Sequence, residues 1–301
     1  MAVFVIGGLV VDKPEGWTSH DVVGKVRRLA GTRRVGHTGT LDPFATGVLL
    51  VCIGPATRLS QLLVGCEKAY RGRIRLGWAT DTQDRTGSAL GELAPASSIP
   101  DDPAVIAQAL EAFNGEIDQV PPMYSAKKVD GRSLHKLARA GREVERAAVR
   151  VRVRMSLSGA TIRNDDGSVD VDVDVECSAG TYVRTLAHDL GAVLGCGAHL
   201  AALRRTRVGR FTIEQAVTLE ELEGHVEERL VAPAELVADI PRIHVREDEL
   251  PDIGNGRALV VDGRVVADDG TDVALLGEDG RLLAIARIDG ELARPRVVLE
   301  R

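Results

Sequence analysis

Residues 169–195 read VDVDVDVECSAGTYVRTLAHDLGAVLG, and this stretch is the clearest structural signal in the chain. Valine alternates with a carboxylate through residues 169–176, which is the period of a strand with one buried face. A turn at Ser178–Gly180 follows, after which the apolar spacing changes to that of a helix. The stretch therefore predicts a sheet with a helix joined to it, as in an α/β fold.

Other segments predict further elements of that fold. Thr18 and Ser19 precede DVVGKVRRLAG and predict a capped helix with its valines inward and Arg27 outward. The apolar segment VLLVCIG predicts a buried strand, and KAYRGRIRLG alternates like a half-exposed one. Asp101-Asp102-Pro103 predicts the start of a helix that Gly115 ends.

The composition is that of an ordinary globular protein. The chain has 301 residues, of which 44% are hydrophobic and 27% charged, enough for one large and one smaller domain. Its apolar N-terminus lacks the basic region of a signal peptide, and no later segment is apolar for long enough to span a membrane. Four cysteines without CxxC spacing predict reduced, buried thiols. We therefore expect a cytoplasmic protein.

The pattern changes near residue 242 to short apolar runs between turns. Five such runs in about 60 residues predict a small all-β domain. The predicted domains are therefore 1–240 and 241–301, with APAELVADIPR as the linker. We expect a chain that ends near residue 240 to fold by itself.

Charge is unevenly distributed along the chain, whose formal net charge is -6. Residues 1–75 have 11 Lys and Arg against 5 Asp and Glu, and residues 121–155 have 10 against 3. Residues 216–301 have 10 basic against 20 acidic residues. If the fold joins the two basic blocks, they form a face for a polyanion. The alternative is that they are ordinary solvated faces of helices and strands.

Several familiar chemistries lack their motifs here. The sequence has no GxxxxGK[ST], HExxH or GxSxG, and no complete GxGxxG. It also lacks a cluster of ligand residues at metal spacing. We therefore expect neither a cofactor nor a metal ion.

The loop GHTGTLDPFATG, residues 36–47, contains one carboxylate, Asp42. Pro43 disfavours the helical conformation at Asp42 and stiffens the turn from which the carboxylate projects. A rigid carboxylate among uncharged residues suits a positioned nucleophile or base. The alternative is that Asp-Pro is only a turn former.

Five ordered motifs resemble the TruB family of tRNA pseudouridine synthases, which modify uridine 55 of the T loop. The motifs are GLVVDKPEGWTSHDVV, GHTGTLDPFATGVLLVCIGPATRL, KAYRGRIRLGWATDTQDRTG, QVPPMYSAKKVDGRSLHKLARAG and CSAGTYVRTLAHDLG, and the resemblance covers roughly residues 8–211. It implies a pseudouridine synthase fold with a mixed, largely antiparallel central sheet flanked by helices. The tail resembles the small PUA-like β domain that often ends these enzymes.

The resemblance also implies roles for individual residues. Asp42 matches the essential aspartate, which attacks C1′, attacks C6 or removes the C2′ proton. Arg184 matches the arginine paired with it, expected to lower the pKa of the carboxylate. Tyr70 matches the tyrosine that stacks on the target base and takes part in proton transfer. Solvation of a helix start by Arg184 and core packing of Tyr70 are the alternatives.

Four further residues match positions near the family's substrate. His37 matches a histidine in the space of the flipped uridine, Tyr182 a second tyrosine, and Leu203 an apolar wall. Lys13 matches a motif lysine, for which a structural role is equally compatible with the sequence. The alternative for Tyr182 and Leu203 is core packing.

The resemblance implies the T-arm stem-loop of tRNA as partner, no membrane, no obligatory protein partner and a monomer. A non-catalytic tRNA-folding helper is the alternative function, although binding alone requires no buried carboxylate. A third possibility is a catalytic subunit guided by separate RNAs, as in the related box H/ACA enzymes. The insertion at 121–155 favours the stand-alone type.

Overall fold

The computed structural model describes residues 5–299 apart from 126, 127, 130, 131, 135–137 and 139–143. The strands are β1 (Gly7–Lys13), β2 (Val35–His37), β3 (Thr46–Ile53), β4 (Lys68–Leu76), β5 (Ala79–Thr80), β6 (Ala89–Leu90), β7 (Gly115–Gln119), β8 (Lys128–Val129), β9 (Arg132–Ser133), β10 (Val149–Arg163), β11 (Val169–Cys177), β12 (Ala198–Val208), β13 (Phe211–Thr212), β14 (Arg242–His244), β15 (Leu259–Val260), β16 (Asp272–Leu276), β17 (Leu282–Asp289) and β18 (Leu292–Val298). The α-helices are α1 (Ser19–Leu29), α2 (Ser60–Val64), α3 (Pro103–Leu110), α4 (Val183–Val193), α5 (Pro233–Leu236) and α6 (Leu250–Gly254). None of the helices in these described residues is long and apolar enough to cross a membrane. The motif at 119–141 and the insertion at 121–155 lie partly outside the described residues.

The central sheet has nine strands in the order β1-β3-β12-β4-β11-β10-β7, with β2 beside β3 and β13 beside β12. Its pairs are antiparallel except for β3 and β12, where Thr46 pairs with Arg204 and Gly47 with Arg205 in parallel. The prediction of a mixed, largely antiparallel sheet is therefore confirmed.

The alternating stretch at 169–177 forms β11, in the middle of this sheet. Its four valines are fully buried, in one apolar cluster with Leu186 and Leu190 of α4. The predicted pairing of a half-buried strand with a following helix is confirmed, and α4 lies on the valine side of the sheet. This packing sets where the residues at the start of α4 point.

Two helices begin at their predicted caps. The Thr18 hydroxyl accepts a hydrogen bond from the Asp21 N–H, and the Asp21 carboxylate accepts one from the Thr18 N–H, so both ends of a capping box are satisfied. α3 begins after Asp102, whose carboxylate accepts from the Ala104 N–H at 2.9 Å. It ends at Leu110, earlier than predicted, because a 3₁₀ turn and then β7 follow.

The outer face of the sheet carries columns of alternating charge. On β4, Nε of Arg73 lies 2.7 Å from Oδ1 of Asp172 on β11. On β10, Nε of Arg150 lies 3.5 Å from Oε2 of Glu116 on β7. Acids of β11 therefore face the arginines of β4, and acids of β7 face Arg150 of β10, while β11 lies between β4 and β10. Arg73 from residues 1–75 and Arg150 from residues 121–155 therefore do not form one basic face. For these two arginines the alternative, a solvated sheet face, is correct.

The C-terminal residues form a five-stranded sheet in the order β14-β16-β17-β18-β15. The predicted small β domain is confirmed, with two corrections. The run RVVADDG at 264–270 forms no strand. The side chain of Val266 in this run is 99% exposed. The domain also contains the short helix α6, since Leu250–Gly254 buries Ile253 in the domain core.

The two sheets share an apolar cluster. Val10 and Leu50 from the central sheet belong to the same cluster as Leu276, Leu282 and Ile285 from the second sheet. Residues 236 and 237 of the predicted linker are also buried in it. The domain boundary near residue 240 remains a prediction, and a continuous core crosses it.

Candidate active site

The loop between β2 and β3 carries Asp42 and is tied to α1. The Ser19 hydroxyl accepts a hydrogen bond from the Leu41 N–H at 2.8 Å and donates to the Leu41 carbonyl at 3.2 Å. The Ala45 N–H donates to the Asp42 carbonyl at 3.1 Å across Pro43. These bonds hold the backbone of Asp42 from both sides, so its side chain leaves a rigid loop.

Lys13 supports this loop from behind. Its Nζ donates to the carbonyl oxygens of Pro14 at 2.9 Å, Trp17 at 2.6 Å and Pro43 at 3.3 Å. Burial lowers the pKa of Lys13 to about 8, because desolvation disfavours the charged form. The residue is 0% exposed and has no free surface for RNA. The structure therefore favours the structural role for Lys13 over the substrate-binding one.

A second buried cation, Arg205, holds the other side of the loop. Its Nε donates to the Val48 carbonyl at 2.6 Å, Nη2 to Gly39 at 3.1 Å and Nη1 to Thr40 at 3.4 Å. At Gly47, where φ is +99°, an added Cβ would lie 2.2 Å from the Arg205 carbonyl, so glycine is required there. Sequence reasoning missed Arg205, because nothing in AALRRTRVGRF distinguishes the buried arginine from its exposed neighbours.

Arg184, in the first turn of α4, meets the Asp42 carboxylate with two nitrogens. Its Nε lies 2.8 Å from Oδ2, and Nη2 donates to Oδ1 at 3.3 Å. Nη1 donates to the Thr82 carbonyl and Nη2 to the Tyr124 carbonyl, each at 2.8 Å. The side chain is only 5% exposed, so these acceptors fix the direction of the guanidinium.

Asp84 is a second carboxylate beside this pair, and sequence reasoning did not single it out. Its Oδ2 lies 3.7 Å from Nη1 of Arg184. Its Oδ1 accepts from the Thr82 hydroxyl at 2.8 Å and from the Thr86 N–H at 2.9 Å. The available signal was a carboxylate among threonines in WATDTQDRTG, a pattern equally typical of a surface turn.

The pKa of Asp42 is raised above its ordinary value. Desolvation is the largest cause, Arg184 opposes it, and the negative charge of Asp84 adds to the rise in pKa. Arg184 lowers the pKa of Asp42 as expected, but desolvation outweighs its effect, so the net shift of the pKa is upward. The Asp42 side chain is still 33% exposed, which leaves it accessible to a substrate.

Tyr70 and Leu203 form part of an apolar wall near the loop. They lie on the neighbouring strands β4 and β12 and belong to one buried cluster with Leu41 and Phe44. Burial raises the pKa of Tyr70, and the Arg205 guanidinium opposes the rise without cancelling it. Tyr70 is therefore a neutral phenol at physiological pH.

Tyr182 directly precedes α4 and is held through its backbone. Its N–H donates to Oε1 of Gln119 at 2.8 Å, and its carbonyl accepts from Nε2 of Gln119 at 3.1 Å. Gln119 is buried at the end of β7. This pair of bonds positions the start of the helix that carries Arg184. A lone Gln before a proline-rich loop gives no sequence signal for this role.

His37 is the last residue of β2 and directly precedes the loop that carries Asp42. Burial, with His20 and Arg205 nearby, lowers the pKa of His37 to about 4. Its Nδ1 accepts from the Gly39 N–H at 3.3 Å, which assigns the proton of the neutral ring to Nε2. Its ring also meets His20 edge-on, with centroids 5.5 Å apart. His37 thus offers an uncharged donor.

The site combines the carboxylate of Asp42, which is paired with Arg184, with the neutral phenol of Tyr70 and the neutral imidazole of His37. The carboxylate can act as a nucleophile or a base, and the phenol and the imidazole can exchange protons. Among the residues that the structure describes, no group of three or more His, Cys, Asp and Glu could hold a metal ion.

Comparison with known proteins places this geometry in a family. The family model described as "TruB family pseudouridylate synthase (N terminal domain)" matches residues 27–183. The chain belongs to the TruB family. The model described as "tRNA pseudouridylate synthase B C-terminal domain" matches residues 184–237. TruB membership makes the chain a pseudouridine synthase, an isomerase that acts on RNA.

Curated TruB relatives align along nearly the whole chain. The tRNA pseudouridine synthase B of Thermobifida fusca (strain YX) is 48% identical over 295 residues, covering 97% of this chain and 98% of that protein. The enzyme of the same name from Mycobacterium sp. (strain KMS) is 49% identical over 280 residues, covering 91% and 93%. A chain in the crystal structure of a Cbf5-Nop10-Gar1 complex has a TM-score of 0.75 at 27% identity, covering 99% of this chain and 85% of that one. The predicted fold is thereby confirmed.

Proposed function

We propose that this TruB-family chain is a tRNA pseudouridine synthase that converts uridine 55 of the T loop to pseudouridine. The observation that carries the proposal is the Asp42 carboxylate, 2.8 Å from Arg184 and one-third exposed. A relative named tRNA pseudouridine synthase B, 48% identical, supports tRNA as the substrate.

The reaction is an isomerisation whose atoms balance without a co-reactant. The N1–C1′ bond of uridine breaks, the uracil turns, and a C5–C1′ bond forms. The proton lost from C5 is balanced by the proton gained at N1. No electrons are exchanged and no water is consumed, so the reacting groups are those of the protein and the substrate alone.

Asp42 acts on the sugar or the base in this proposal. It attacks C1′, attacks C6 or removes the C2′ proton, and each route needs the ionised carboxylate. Arg184 favours that form through its two contacts, against the burial that raises the pKa of Asp42. Arg184 also fixes the orientation of both oxygens, so the attacking lone pair is placed before the substrate arrives.

The remaining residues bind the flipped uridine. Tyr70 stacks on the base, and its neutral phenol exchanges the proton that moves from C5. Leu203 closes the apolar side of the site, while His37 and Tyr182 border the nucleotide from the loop and from the start of α4. Lys13 and Arg205 hold the loop by its carbonyl oxygens.

We further propose that the enzyme works as a cytoplasmic monomer without an obligatory protein partner. The solved Cbf5 chain occurs in a complex with Nop10 and Gar1, so this part of the proposal requires its own test. Activity of the purified chain alone, at a mass of 32.1 kDa in solution, is the expected result.

The deciding experiment incubates the purified protein with an unmodified T-arm stem-loop. Because pseudouridine has the same mass as uridine, the product is mapped by carbodiimide labelling and primer extension. We expect a single labelled position, at the residue equivalent to uridine 55. A stem-loop with cytidine at that position is the matched control. Tight binding without any pseudouridine would favour the alternative of a tRNA-folding helper.

A further inference from the structure

Residues 81–88 form the turn between β5 and β6, which we call the Asp84 turn because it carries that carboxylate. Two elements of the catalytic domain hold it. From β12, the Leu200 N–H donates to the Gln83 carbonyl at 3.0 Å. From α4, the Thr185 hydroxyl donates to Oε1 of Gln83 at 2.8 Å. The backbone of Gln83 thus joins the turn to the sheet, and its side chain joins the turn to the helix.

Gln83 adopts a left-handed backbone conformation, with φ of +63°. In the described part of the chain, the only other non-glycine residue with a positive φ is Asp262. L-residues other than glycine rarely adopt this conformation, because their Cβ comes close to the following carbonyl oxygen. Glycine would adopt it without strain, so the path of the turn does not explain a glutamine here. What the glutamine adds is the hydrogen bond to Thr185.

The hydrogen bond lies directly beside the contacts of Arg184. Thr185 is buried and follows Arg184 in the first turn of α4. Nη1 of Arg184 donates to the Thr82 carbonyl at 2.8 Å and lies 3.7 Å from Oδ2 of Asp84. Two consecutive residues of the helix therefore meet three consecutive residues of the turn, with Gln83 in the middle.

The direction of the Arg184 guanidinium depends on where the Asp84 turn lies. Nη1 faces the turn at Thr82 and Asp84, whereas Nε and Nη2 face the carboxylate of Asp42. Because the guanidinium is planar and rigid, a shift of the acceptors of Nη1 would rotate Nε and Nη2 as well. The carboxylate of Asp42 would then lose its fixed orientation before the substrate binds.

We propose that Gln83 is a positioning residue, whose hydrogen bond to Thr185 keeps the Asp84 turn against α4 and so holds Arg184 in the orientation that Asp42 requires. The inference rests on the proposed function for the reaction that Asp42 performs. It adds a residue that acts through Arg184 and not on the substrate.

The test removes the hydrogen bond from each side. Gln83→Asn shortens the side chain by one methylene group, while asparagine tolerates the left-handed conformation better than most residues. Thr185→Val removes the hydroxyl at nearly unchanged volume, and Thr185→Ser retains it. Gln108→Asn, the same change at an exposed position of α3, is the matched control. For each variant, kcat and affinity for an unmodified T-arm stem-loop are measured well below its Tm, so that lost stability is separated from lost positioning.

We expect Gln83→Asn and Thr185→Val each to lower kcat by about tenfold or more, with affinity for the stem-loop close to that of the parent. The double variant should lose no more than the larger single loss, because both changes remove the same bond. Thr185→Ser should retain most of the parent's kcat. Parent-like kcat in Gln83→Asn or Thr185→Val, losses that multiply in the double variant, or an equal loss in Thr185→Ser would each overturn the inference.

A second measurement does not depend on turnover. The Nε–H resonance of Arg184, assigned by its absence from the spectrum of Arg184→Lys, reports the contact with Asp42. In Gln83→Asn we expect this proton to exchange with solvent about tenfold or more faster, because the ion pair opens more often. Unchanged exchange would overturn the inference. A parent that forms no pseudouridine, combined with the expected rise in exchange, would contradict the proposed function and leave the positioning role of Gln83 supported.

Discussion

Nε of Arg184 lies 2.8 Å from Oδ2 of Asp42, although 142 residues separate the two along the chain. The contact joins the start of α4 to the loop between β2 and β3. The sheet brings these segments together, because α4 packs on its buried face while β3 and β12 pair in parallel beside the loop. Both the charge and the direction of the carboxylate therefore depend on the whole central sheet.

Replacing Asp42 with Asn should abolish pseudouridine formation and leave RNA binding within about tenfold, or about 1.4 kcal/mol, of the parent. The amide has the size of the carboxylate but supplies neither a nucleophile nor a base. Product mapping and anisotropy on the same preparation provide the two measurements. Asp174→Asn, an exposed change on the sheet face, is the control. Turnover by an Asp42→Asn preparation shown to be free of deamidation would contradict the assignment.

The pH dependence of kcat/KM should show an acid limb above the ordinary range of an aspartate. The pKa of Asp42 is raised, so the carboxylate becomes protonated, and activity is lost, as pH falls through that raised value. Asp84→Asn removes a negative charge that contributes to the rise, so its acid limb should move to lower pH. A limb that stays in place or moves upward would show that Asp84 does not act on the pKa of Asp42.

Tyr70→Phe should separate stacking from proton transfer. The ring remains in its buried position and only the hydroxyl is lost, so RNA affinity should stay close to that of the parent. We expect a fall in kcat of about 10²-fold or more if the phenol exchanges a proton with the substrate. An unchanged kcat would limit Tyr70 to stacking and packing.

Ending the chain at residue 240 should leave a folded but less stable protein. Leu276, Leu282 and Ile285 would no longer cover Val10 and Leu50, whose cluster spans both sheets. A loss of about 2 kcal/mol corresponds to a fall in Tm of roughly 4–8 °C for a domain of this size. Calorimetry of both chains measures it. Failure of the truncated chain to fold would contradict the predicted boundary, and an unchanged Tm would contradict the role of the shared cluster.

Activity should persist in EDTA on a stem-loop that folds without Mg²⁺. The proposed reaction uses only the carboxylate, phenol and guanidinium groups of the site. The initial rate is measured before and after chelation. A loss of rate that added zinc or manganese restores would contradict metal independence.

Local patterns in the sequence predicted elements whose cause is local. The alternation of valine and carboxylate predicted β11, the Thr18 cap predicted α1, and the run of Val48 to Ile53 predicted a buried strand. Ordered motifs brought Asp42, Tyr70 and Arg184 forward as candidates through resemblance to a family. Local patterns and motifs both consist of residues that are neighbours in the sequence. These elements and candidate residues could therefore be predicted without the order of the strands in the sheet.

The tertiary structure decided every property that depends on distant neighbours. Strand order placed the arginines of β4 beside the acids of β11, and Arg150 of β10 beside the acids of β7, and so neutralised part of the predicted basic surface. Burial outweighed the lowering effect of Arg184 on the pKa of Asp42, and it enclosed Lys13. Asp84, Gln119 and Arg205 became visible only in space. Desolvation and ion pairing act over a few ångströms between segments far apart in the chain, and a single sequence does not contain those distances.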